Sequence, residues 1–599
     1  MRSKGSTAKE DSGILVLASM PSDLWATFAG HAGPVLGSDD EAMGKPIRNI
    51  TIVGGGSTGW LAAAILNHRL QWGFAHPDGV QITLIESPEV PIIGVGEATI
   101  PPIRRTLELL EISEDEFVAR TNATFKLGVR FDNWHRPDGG KPKSFFHPFT
   151  GGVQIGGRNP AASLLRYGLP EGLDVDPQLT NLVGHGVAAA AASKSPRRHG
   201  DPPYQGALGY AYHVDAALFS AFLQEVSIAR GVTHVRDTVA GIERDERGHI
   251  AALRLAGGQR HDVELVLDCS GFRGLLINQA LEEPFESFAP YLFNDSAVAV
   301  QTAHPDGEAL APTTVSTAMG NGWRWRIPLQ SRVGNGYVFS SAFATDAQAT
   351  DDLLAALEGQ QRLVEPRTLK MRVGRCRRSW VGNCVALGLA GGFVEPLEST
   401  GIQFVDFACR RLLQCLPSSD FEPGPIAKFN AQMASIYEDV RDFLGLHFTL
   451  GDRDDTPYWR AMHHEAKRSD RLQECLDLWR AALPDPYDPR PSDIFTFWSV
   501  SAVLFGKGFY ADSNLVGTDL LPRPVWERYI HDFLAIRTGL LAKLPDHAEM
   551  LQTMIDAAVT GESAARQPRS RHTPTIGVAL GPSIPVMSAE HHPALSARA

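Results

Sequence analysis

Apolar and polar residues alternate along this chain with two different spacings, and these spacings predict strands and helices in turn. Short apolar runs beside glycine or polar residues predict buried strands at RNITIVGG from residue 48, VQITLIES from residue 80, HDVELVLDCSG from residue 261 and GNCVALGLAGG from residue 382. Between the first two, TGWLAAAILNHRL from residue 58 has the apolar spacing of a helix. Strand, helix and strand in this order form a βαβ unit, so the pattern predicts an α/β fold.

The two ends of the chain lack this periodicity, whereas its last third has mostly helical spacing, as in PVWERYIHDFLAIRTGLLAKL from residue 524. The beginning is rich in Gly, Ser, Ala and Asp, and the end is rich in Pro, Ser, His and Arg. Such compositions are typical of disorder. We therefore expect a disordered extension, a core, a helical part and a disordered tail over 1–46, 47–424, 425–563 and 564–599.

The composition indicates the general class of protein but does not indicate which reaction it catalyses. The chain has 599 residues, a formal charge of −12, 43% hydrophobic residues and 21% charged residues, as a soluble globular enzyme would. The net negative charge argues against nucleic acid or an anionic membrane surface as the main partner. No apolar run reaches the roughly 18 residues of a membrane span, and no signal-peptide pattern opens the chain. Six scattered cysteines without CxxC spacing predict reduced core thiols, no metal site and a cytoplasmic location.

The stretch IVGGGSTGWL from residue 52 contains a GxGxxG motif made by Gly54, Gly56 and Gly59. In such a motif the first glycine allows a tight turn, the second lets a pyrophosphate approach, and the third lets the helix pack on the strand. The next strand ends in Glu86, roughly 27 residues on, near the ~20 expected for a ribose-binding acid. The alternative is an ordinary glycine-rich turn, but the position between strand and helix favours a dinucleotide site. The motif alone does not choose between FAD and NAD.

Four further stretches bear on that choice. They are GVGEATIPPIRRTL from residue 94, ATFKLGVRFDNW from 123, GNGWRWRIPL from 320 and AGGFVEPLESTGIQF from 390. Together with the glycine turn they resemble the flavin-dependent halogenases, the family that includes the tryptophan halogenases. The WxWxIP string separates that family from the flavin hydroxylases that it otherwise looks like. The resemblance covers about residues 47–560. It implies a Rossmann-like FAD-binding module of the flavin monooxygenase type, with an interleaved substrate module to which the helical part belongs.

The resemblance implies two catalytic residues. Lys126 matches the family's lysine, which hydrogen-bonds hypohalous acid or carries the halogen as a haloamine, and apolar neighbours would lower its pKa. Glu398 matches the family's active-site glutamate, by register with ESTG and in preference to Glu395, and Ser399 is expected to brace it. Without the family context, the expected roles would be a solvated lysine and an ordinary helix entry.

The same resemblance assigns the cofactor and halide positions. Thr400 and Gly401 would bind the halide through backbone N–H groups, at a turn that leads into a helix. The GVGEATIP loop would form a strap that covers the flavin. The positions expected to contact FAD are Gly54, Gly56, Ser57, Thr58, Gly59, Glu86, Gly96, Glu97, Ala98 and Ile100.

Aromatic residues define the expected substrate compartment. His147 and Phe149 resemble the His and Phe that line the tryptophan halogenase pocket, although a Pro-containing edge with core aromatics is equally consistent. Trp323 and Trp325 would keep the flavin and substrate compartments apart. In 494–510, where enzymes that use free tryptophan place a lid, no acid is present to meet an ammonium. Indole, a phenol, a pyrrole or a larger peptide-like aromatic is therefore left open as the substrate.

These features predict a two-component halogenase that takes FADH2 from a separate flavin reductase and uses O2 and chloride or bromide on an aromatic C–H. Only one glycine turn of this type follows a strand, so no NAD(P)H domain is expected. A flavin hydroxylase and a catalytically idle FAD-binding protein are the alternatives. The biased segment 187–203 is expected to be a surface excursion of low order. The oligomeric state, including a homodimer, is left open.

Overall fold

The computed structural model describes residues 44–72, 79–90, 96–136, 144–155, 157–176, 178–488, 494–510 and 520–561. The predicted disordered segments therefore lie outside the described residues, apart from 44–46, where Pro46 forms a bridge with Ser418. Within the described ranges, no helix combines the length and the apolar character that crossing a lipid bilayer needs.

A mostly parallel sheet of six strands organises the first part of the fold. The predicted strand–helix–strand unit is present as Asn49–Val53, the helix Ser57–Asn67 and Gln81–Glu86. The two other predicted strands pair in the same sheet, which confirms the α/β prediction. The spatial order of the strands is Trp380–Val381, Cys384–Ala386, Leu265–Asp268, Asn49–Val53, Gln81–Glu86 and Thr233–Arg236.

The helix Ser57–Asn67 is apolar on all sides because it is covered on all sides. Every residue from Gly59 to Asn67 is buried. The helix packs against Ala216–Ala229 and Gly401–Gln414 as well as on the sheet. A helix without a polar face belongs to a core rather than to a surface, so its N-terminus is held firmly at the glycine turn.

A second, seven-stranded sheet contains the WxWxIP string. Neighbouring strands are antiparallel except Thr314–Met319 and Gly128–Asp132, which run parallel. Trp323 and Trp325 are two residues apart in one strand, so they share a face of the sheet. The spatial order is Arg367–Lys370, Ser296–Thr302, Val333–Phe339, Gly322–Pro328, Thr314–Met319, Gly128–Asp132 and Ser144–Pro148.

Three small sheets complete the strand inventory of the described chain. One consists of Gly96–Ala98, Ala211–Asp215 and Thr124–Lys126, with Ala211–Asp215 in the middle. The chain leaves this sheet at Lys126 and enters the seven-stranded sheet at Gly128, so Lys126 lies at a junction between two sheets. The other two consist of Arg260–Asp262, Ile250–Leu255 and Val239–Arg244, and of Phe285–Ser287, Gly374–Cys376 and Gly392–Phe393.

Helices dominate the last part of the described chain, as its periodicity predicts. These helices are Pro423–Thr449, Pro457–His464, Asp470–Ala481, Phe497–Gly506, Arg523–Leu541 and His547–Thr560. The remaining α-helices are Pro102–Leu109, Glu114–Arg120, Pro160–Tyr167, Leu179–Val183, Gly186–Ala191 and Asp346–Ala355.

The prediction that 187–203 is an excursion of low order is wrong. Arg197 is 6% exposed, and its Nη1 donates a hydrogen bond of 2.7 Å to Glu114 Oε2. The Glu114 carboxylate also accepts hydrogen bonds from the Tyr210 and Tyr212 hydroxyls. A buried guanidinium needs such a partner. Composition could not reveal it, because the partner lies in another element 83 residues away.

All six cysteines are free thiols, and five of them are buried, while Cys475 is partly exposed. Burial raises the pKa of Cys376 to about 11. It also raises the pKa of Cys269, Cys384 and Cys409. These thiols are core side chains that stay protonated at neutral pH.

Candidate active site

The glycine turn lies at the carboxyl end of the first parallel strand. Gly54 has a φ of +117°, and a Cβ there would lie 2.3 Å from the Cys269 carbonyl oxygen, so only glycine fits. A Cβ at Gly59 would lie 1.9 Å from the Gly54 carbonyl oxygen. A Cβ at Gly56, by contrast, would meet no protein atom within 4 Å. The turn therefore leaves open space in front of the helix N-terminus, where an anion is favoured.

Glu86 ends the second parallel strand and lies directly against this turn. Its Oε1 accepts a hydrogen bond of 2.8 Å from His234 Nε2, and its side chain is 21% exposed. A Cβ on Gly55 would overlap Glu86 Oε2 at 1.4 Å. The sequence-predicted acid and the glycine turn are thus adjacent, as a ribose site next to a pyrophosphate site requires.

The predicted strap begins, within the described residues, at the strand Gly96–Ala98 and packs on the WxWxIP strand. A Cβ on Gly96 would lie 3.2 Å from Ile327 Cγ2. Glu97 is partly buried, and burial raises its pKa to about 7. Ile100 is buried in the core. The described part of the strap therefore lies against the seven-stranded sheet.

Lys126 is completely buried. Its Nζ donates a hydrogen bond of 2.8 Å to Ser399 Oγ and lies 5.0 Å from the centre of the Phe149 ring. Burial lowers the pKa of Lys126 to about 7, although the charge of Glu398 opposes this shift. Burial therefore disfavours the ammonium form of Lys126 far more than water would.

Glu398 is 1% exposed and lies between two histidines. Both of its carboxylate oxygens lie 3.0 Å from His147 Nδ1, which donates, and Oε1 lies 3.0 Å from His447 Nε2. Burial alone raises the pKa of Glu398, but the two histidines outweigh burial and bring the pKa down to about 2. The carboxylate therefore stays ionised across the whole neutral range.

His447 is the residue of this site that sequence reasoning missed. It is fully buried on the helix Pro423–Thr449, and its ring stacks on Phe131 with 4.6 Å between centres. Burial lowers its pKa, while contact with Glu398 opposes that shift. No motif surrounds it, and its one signal is a histidine among apolar helix positions, which more often marks a core residue.

The expectation that Ser399 braces Glu398 is corrected by the geometry. Ser399 Oγ accepts its hydrogen bond from Lys126 Nζ instead. Ser399 has a φ of +61°, so the backbone is left-handed at this position. It is followed by Thr400, which is buried, and by Gly401, where a Cβ would meet no protein atom within 4 Å. The N-terminus of the helix Gly401–Gln414 thus faces free space beside Lys126.

The two tryptophans of WxWxIP lie next to the loop that carries Glu398. Trp323 Nε1 donates a hydrogen bond of 2.7 Å to Glu395 Oε2. Burial raises the pKa of Glu395 to about 7, and its hydrogen bonds from Asn294 and Trp323 oppose that shift. Trp325 lies 6.3 Å from Trp323 between ring centres. Glu395 therefore holds Trp323 in place, which accounts for the second acid of this stretch.

Aromatic rings lie beside His147, and the Phe149 ring lies beside Lys126. The Phe443 and Phe495 rings stack at 3.7 Å, and His147 lies 5.8 Å from the first of them. Trp498 packs over the backbone nearby, since a Cβ on Gly152 would lie 2.7 Å from its Cη2. The predicted pocket residues, Lys126 and Glu398 therefore meet in one aromatic-lined region, through the contacts Lys126–Phe149, Lys126–Ser399 and His147–Glu398.

This arrangement agrees with the similarity of the chain to known proteins. Residues 49–522 match the family model described as tryptophan halogenase. Tryptophan 7-halogenase RebH of Lentzea aerocolonigenes is 40% identical over 506 residues, which cover 82% of this chain and 93% of that protein.

Two solved structures extend the likeness to the fold. A tryptophan halogenase from Shewanella frigidimarina NCIMB 400 has a TM-score of 0.79 at 33% identity, covering 86% of this chain and 98% of its own. BrvH, a flavin-dependent halogenase from Brevundimonas sp. BAL3, has a TM-score of 0.75 at 36% identity, covering 85% and 99%. The chain therefore belongs to the tryptophan halogenase family, and it is an enzyme of the flavin-dependent halogenase class.

Proposed function

We propose that this enzyme is a two-component halogenase: a separate flavin reductase supplies FADH2, and the chain uses it with O2 and chloride or bromide to substitute an aromatic C–H. One observation carries the proposal. A buried lysine and a buried, ionised glutamate, Lys126 and Glu398, come together from distant parts of the chain, where Lys126 donates to Ser399, the residue after Glu398. Burying such groups is unfavourable, and perturbed lysine and carboxylate pKa values in one place are typical of a reaction site.

FAD fits the residues present. The open space in front of Gly56 supports a pyrophosphate there, and the position of Glu86 against the glycine turn supports a contact with a ribose hydroxyl. A Cβ on Gly388 would lie 2.4 Å from Thr58 Oγ1, so the glycine turn also contacts the loop that leads to ESTG. When bound, the reduced flavin supplies the two electrons that activate O2 for oxidation of a halide ion to hypohalous acid.

Lys126 is proposed to hold the hypohalous acid beside the substrate. Its ammonium donates a hydrogen bond to the oxygen of the acid. As the oxygen–halogen bond breaks and the halogen bonds to a ring carbon, the ammonium gives its proton to that oxygen, which leaves as water while the lysine becomes a neutral amine. A pKa of about 7 keeps a large share of the side chain charged at neutral pH. The N-terminus at Thr400 and Gly401 is proposed to bind the halide ion before its oxidation.

Glu398 is proposed to accept the proton that the ring loses. Halogen addition makes the ring carbon cationic, and its C–H becomes a strong acid, so even a carboxylate with a pKa of about 2 can take that proton. His147 and His447 keep the carboxylate ionised and oriented. Trp323 and Trp325 are proposed to separate this compartment from the flavin.

The proposed substrate is an electron-rich, indole-like ring. The aromatic surroundings of His147 and Phe149 favour a flat ring that can stack. Tryptophan enters as a candidate because RebH is a tryptophan 7-halogenase. Indole and other rings without an ammonium are candidates because 494–510 contains no acid.

The test is mass spectrometry of tryptophan, indole, a phenol and a pyrrole incubated with the protein, FAD, a flavin reductase, NADH, air and bromide. We expect a product with the two-isotope pattern of bromine. Lys126→Ala should abolish it while FAD binding, measured by flavin fluorescence, is retained. Lys507→Met is the matched control. Lys507 is also buried with a pKa of about 7, but its Nζ donates to the Trp134 carbonyl and takes no part in the proposed chemistry.

Each result separates the alternatives. A product heavier by one oxygen, formed without bromide, would make the enzyme a hydroxylase. Loss of FAD binding in Lys126→Ala would remove the proposed role of the lysine. Equal loss of bromination in Lys507→Met would show that any change to a buried lysine disables the fold, and the special role of Lys126 would then fail.

A further inference from the structure

We infer that His547 is a positioning residue for the catalytic lysine, an inference that rests on the halogenase function proposed above. His547 begins the helix His547–Thr560 and is fully buried, beyond the matched stretch 49–522. Its Nε2 accepts a hydrogen bond of 3.0 Å from the backbone N–H of Phe125, the residue before Lys126.

Both ring nitrogens of His547 have a partner, which fixes the tautomer. The Nδ1 lies 2.9 Å from the Leu310 carbonyl oxygen, which can only accept, so the ring proton is on Nδ1. The Nε2 is then an acceptor and pairs with the Phe125 N–H. Burial lowers the pKa of His547 to about 4, so the ring is neutral at neutral pH. Two bonds in different directions hold the ring, and the ring in turn holds one backbone amide.

That amide belongs to a short edge strand, in which the Thr124 hydroxyl donates to the Pro328 carbonyl and the Phe125 ring packs on Tyr210. Thr124–Lys126 has only three residues and lies at the edge of its sheet, paired on one side with Ala211–Asp215. On the far side of Lys126, the Leu127 N–H donates a hydrogen bond of 2.8 Å to the Pro312 carbonyl. Lys126 thus lies between two anchored amides, and a shift at Phe125 would move its Nζ away from Ser399.

The helix is itself fastened to the segment around Arg197. The His547 N–H donates to the Ser193 carbonyl, and the Ser195 N–H donates to the Pro545 carbonyl, each at 2.9 Å. Lys194 Nζ pairs with Asp546 at 2.7 Å. These contacts help to fix the position of His547. The segment 187–203 is therefore connected to Lys126 through His547 and the Phe125 amide.

Three variants test the inference. His547→Phe keeps a ring of similar size but removes the acceptor. His547→Gln keeps an acceptor at about the reach of Nε2. Leu551→Ala loosens the same helix at a buried position and leaves the His547 ring and both of its hydrogen-bonding nitrogens unchanged. For each variant, hydrogen–deuterium exchange is measured by mass spectrometry over 121–129, together with kcat and KM for halogenation.

We expect His547→Phe to raise amide exchange in this peptide and to lower kcat about ten- to a hundredfold with KM little changed, because misplacing a reacting group acts on the chemical step. His547→Gln should recover most of the kcat and the protection. Equal effects of His547→Phe and Leu551→Ala, or no recovery with Gln, would overturn the inference. The exchange measurement needs no turnover, so an inactive wild-type chain would refute the halogenase proposal separately.

Discussion

Lys126 and Glu398 occupy one buried region, and both of their pKa values are lowered. The physical cause differs because their partners differ. The partner of Lys126 Nζ is a neutral hydroxyl, so burial dominates and the pKa falls to about 7. The partners of Glu398 are two histidines, which outweigh burial and lower the pKa to about 2. A permanently ionised carboxylate therefore lies beside an amine that titrates at neutral pH.

This difference predicts the pH dependence of turnover. If the Lys126 ammonium donates to hypohalous acid, activity is present below the folded pKa of the lysine and is lost as pH rises through about 7. Glu398, already ionised above about 2, adds no second limb between pH 5 and 9. The check is kcat under single-turnover conditions with photoreduced FAD, so that no reductase contributes its own profile. A rate that instead rises through pH 7 would contradict the donor role and favour a haloamine on the neutral amine.

Some residues of the site can be predicted from the sequence, and others cannot. Lys126, His147 and Glu398 stand in short motifs, and the fold brings them together. His447 has no motif, because its role comes from where a 27-residue helix crosses the site. The Ser399 hydroxyl accepts from Lys126, a partner 273 residues away that the local sequence around ESTG does not reveal.

At the scale of elements, an internal ion pair fixes the segment that carries Arg197. Glu114 is the first residue of the helix Glu114–Arg120. Its carboxylate accepts hydrogen bonds from the Arg197 guanidinium, two tyrosine hydroxyls and the Tyr204 backbone N–H. The periodicity of the chain predicted the long helices and parallel strands well, since their apolar faces are continuous. It failed on this segment, because an element held by one buried arginine has no repeating pattern to read.

Replacing that arginine should therefore destabilise the protein strongly. Arg197→Met leaves Glu114 as a buried carboxylate without its cation, and breaking such a pair costs about 3–5 kcal/mol of the free energy of unfolding. The neighbouring Arg198 pairs with Asp201 at the surface, so Arg198→Met should change stability by about 1 kcal/mol or less. Urea unfolding followed by tryptophan fluorescence compares the two. Similar losses in both variants would show that the buried pair has no special weight.

At the scale of the whole molecule, the proposed site spans the region between two sheets. The glycine turn lies on the parallel sheet, and Lys126 lies where the chain enters the seven-stranded sheet. The N-terminus of Gly401–Gln414 lies beside Lys126, and the same helix packs on Ser57–Asn67, which begins at the glycine turn.

This architecture predicts that the chain cannot use a nicotinamide on its own. With NADH, FAD, bromide and a substrate but no reductase, we expect no halogenated product and no oxidation of NADH above the rate without protein. Halogenated product should form when a flavin reductase is added, and also when FAD reduced by light replaces the reductase and NADH. NADH consumption at 340 nm and mass spectrometry are the two measurements. Turnover with NADH alone would contradict the two-component proposal.

The burial of the cysteines has a consequence for the durability of such a catalyst. Hypohalous acid is an indiscriminate oxidant, and the thiolate is the form of cysteine that it attacks most readily. Five of the six thiols are buried, and four of these have raised pKa values. If the enzyme forms hypohalous acid as proposed, these four thiols are protonated and away from water during turnover. Self-inflicted thiol damage should accordingly begin at Cys475, the one cysteine that solvent reaches.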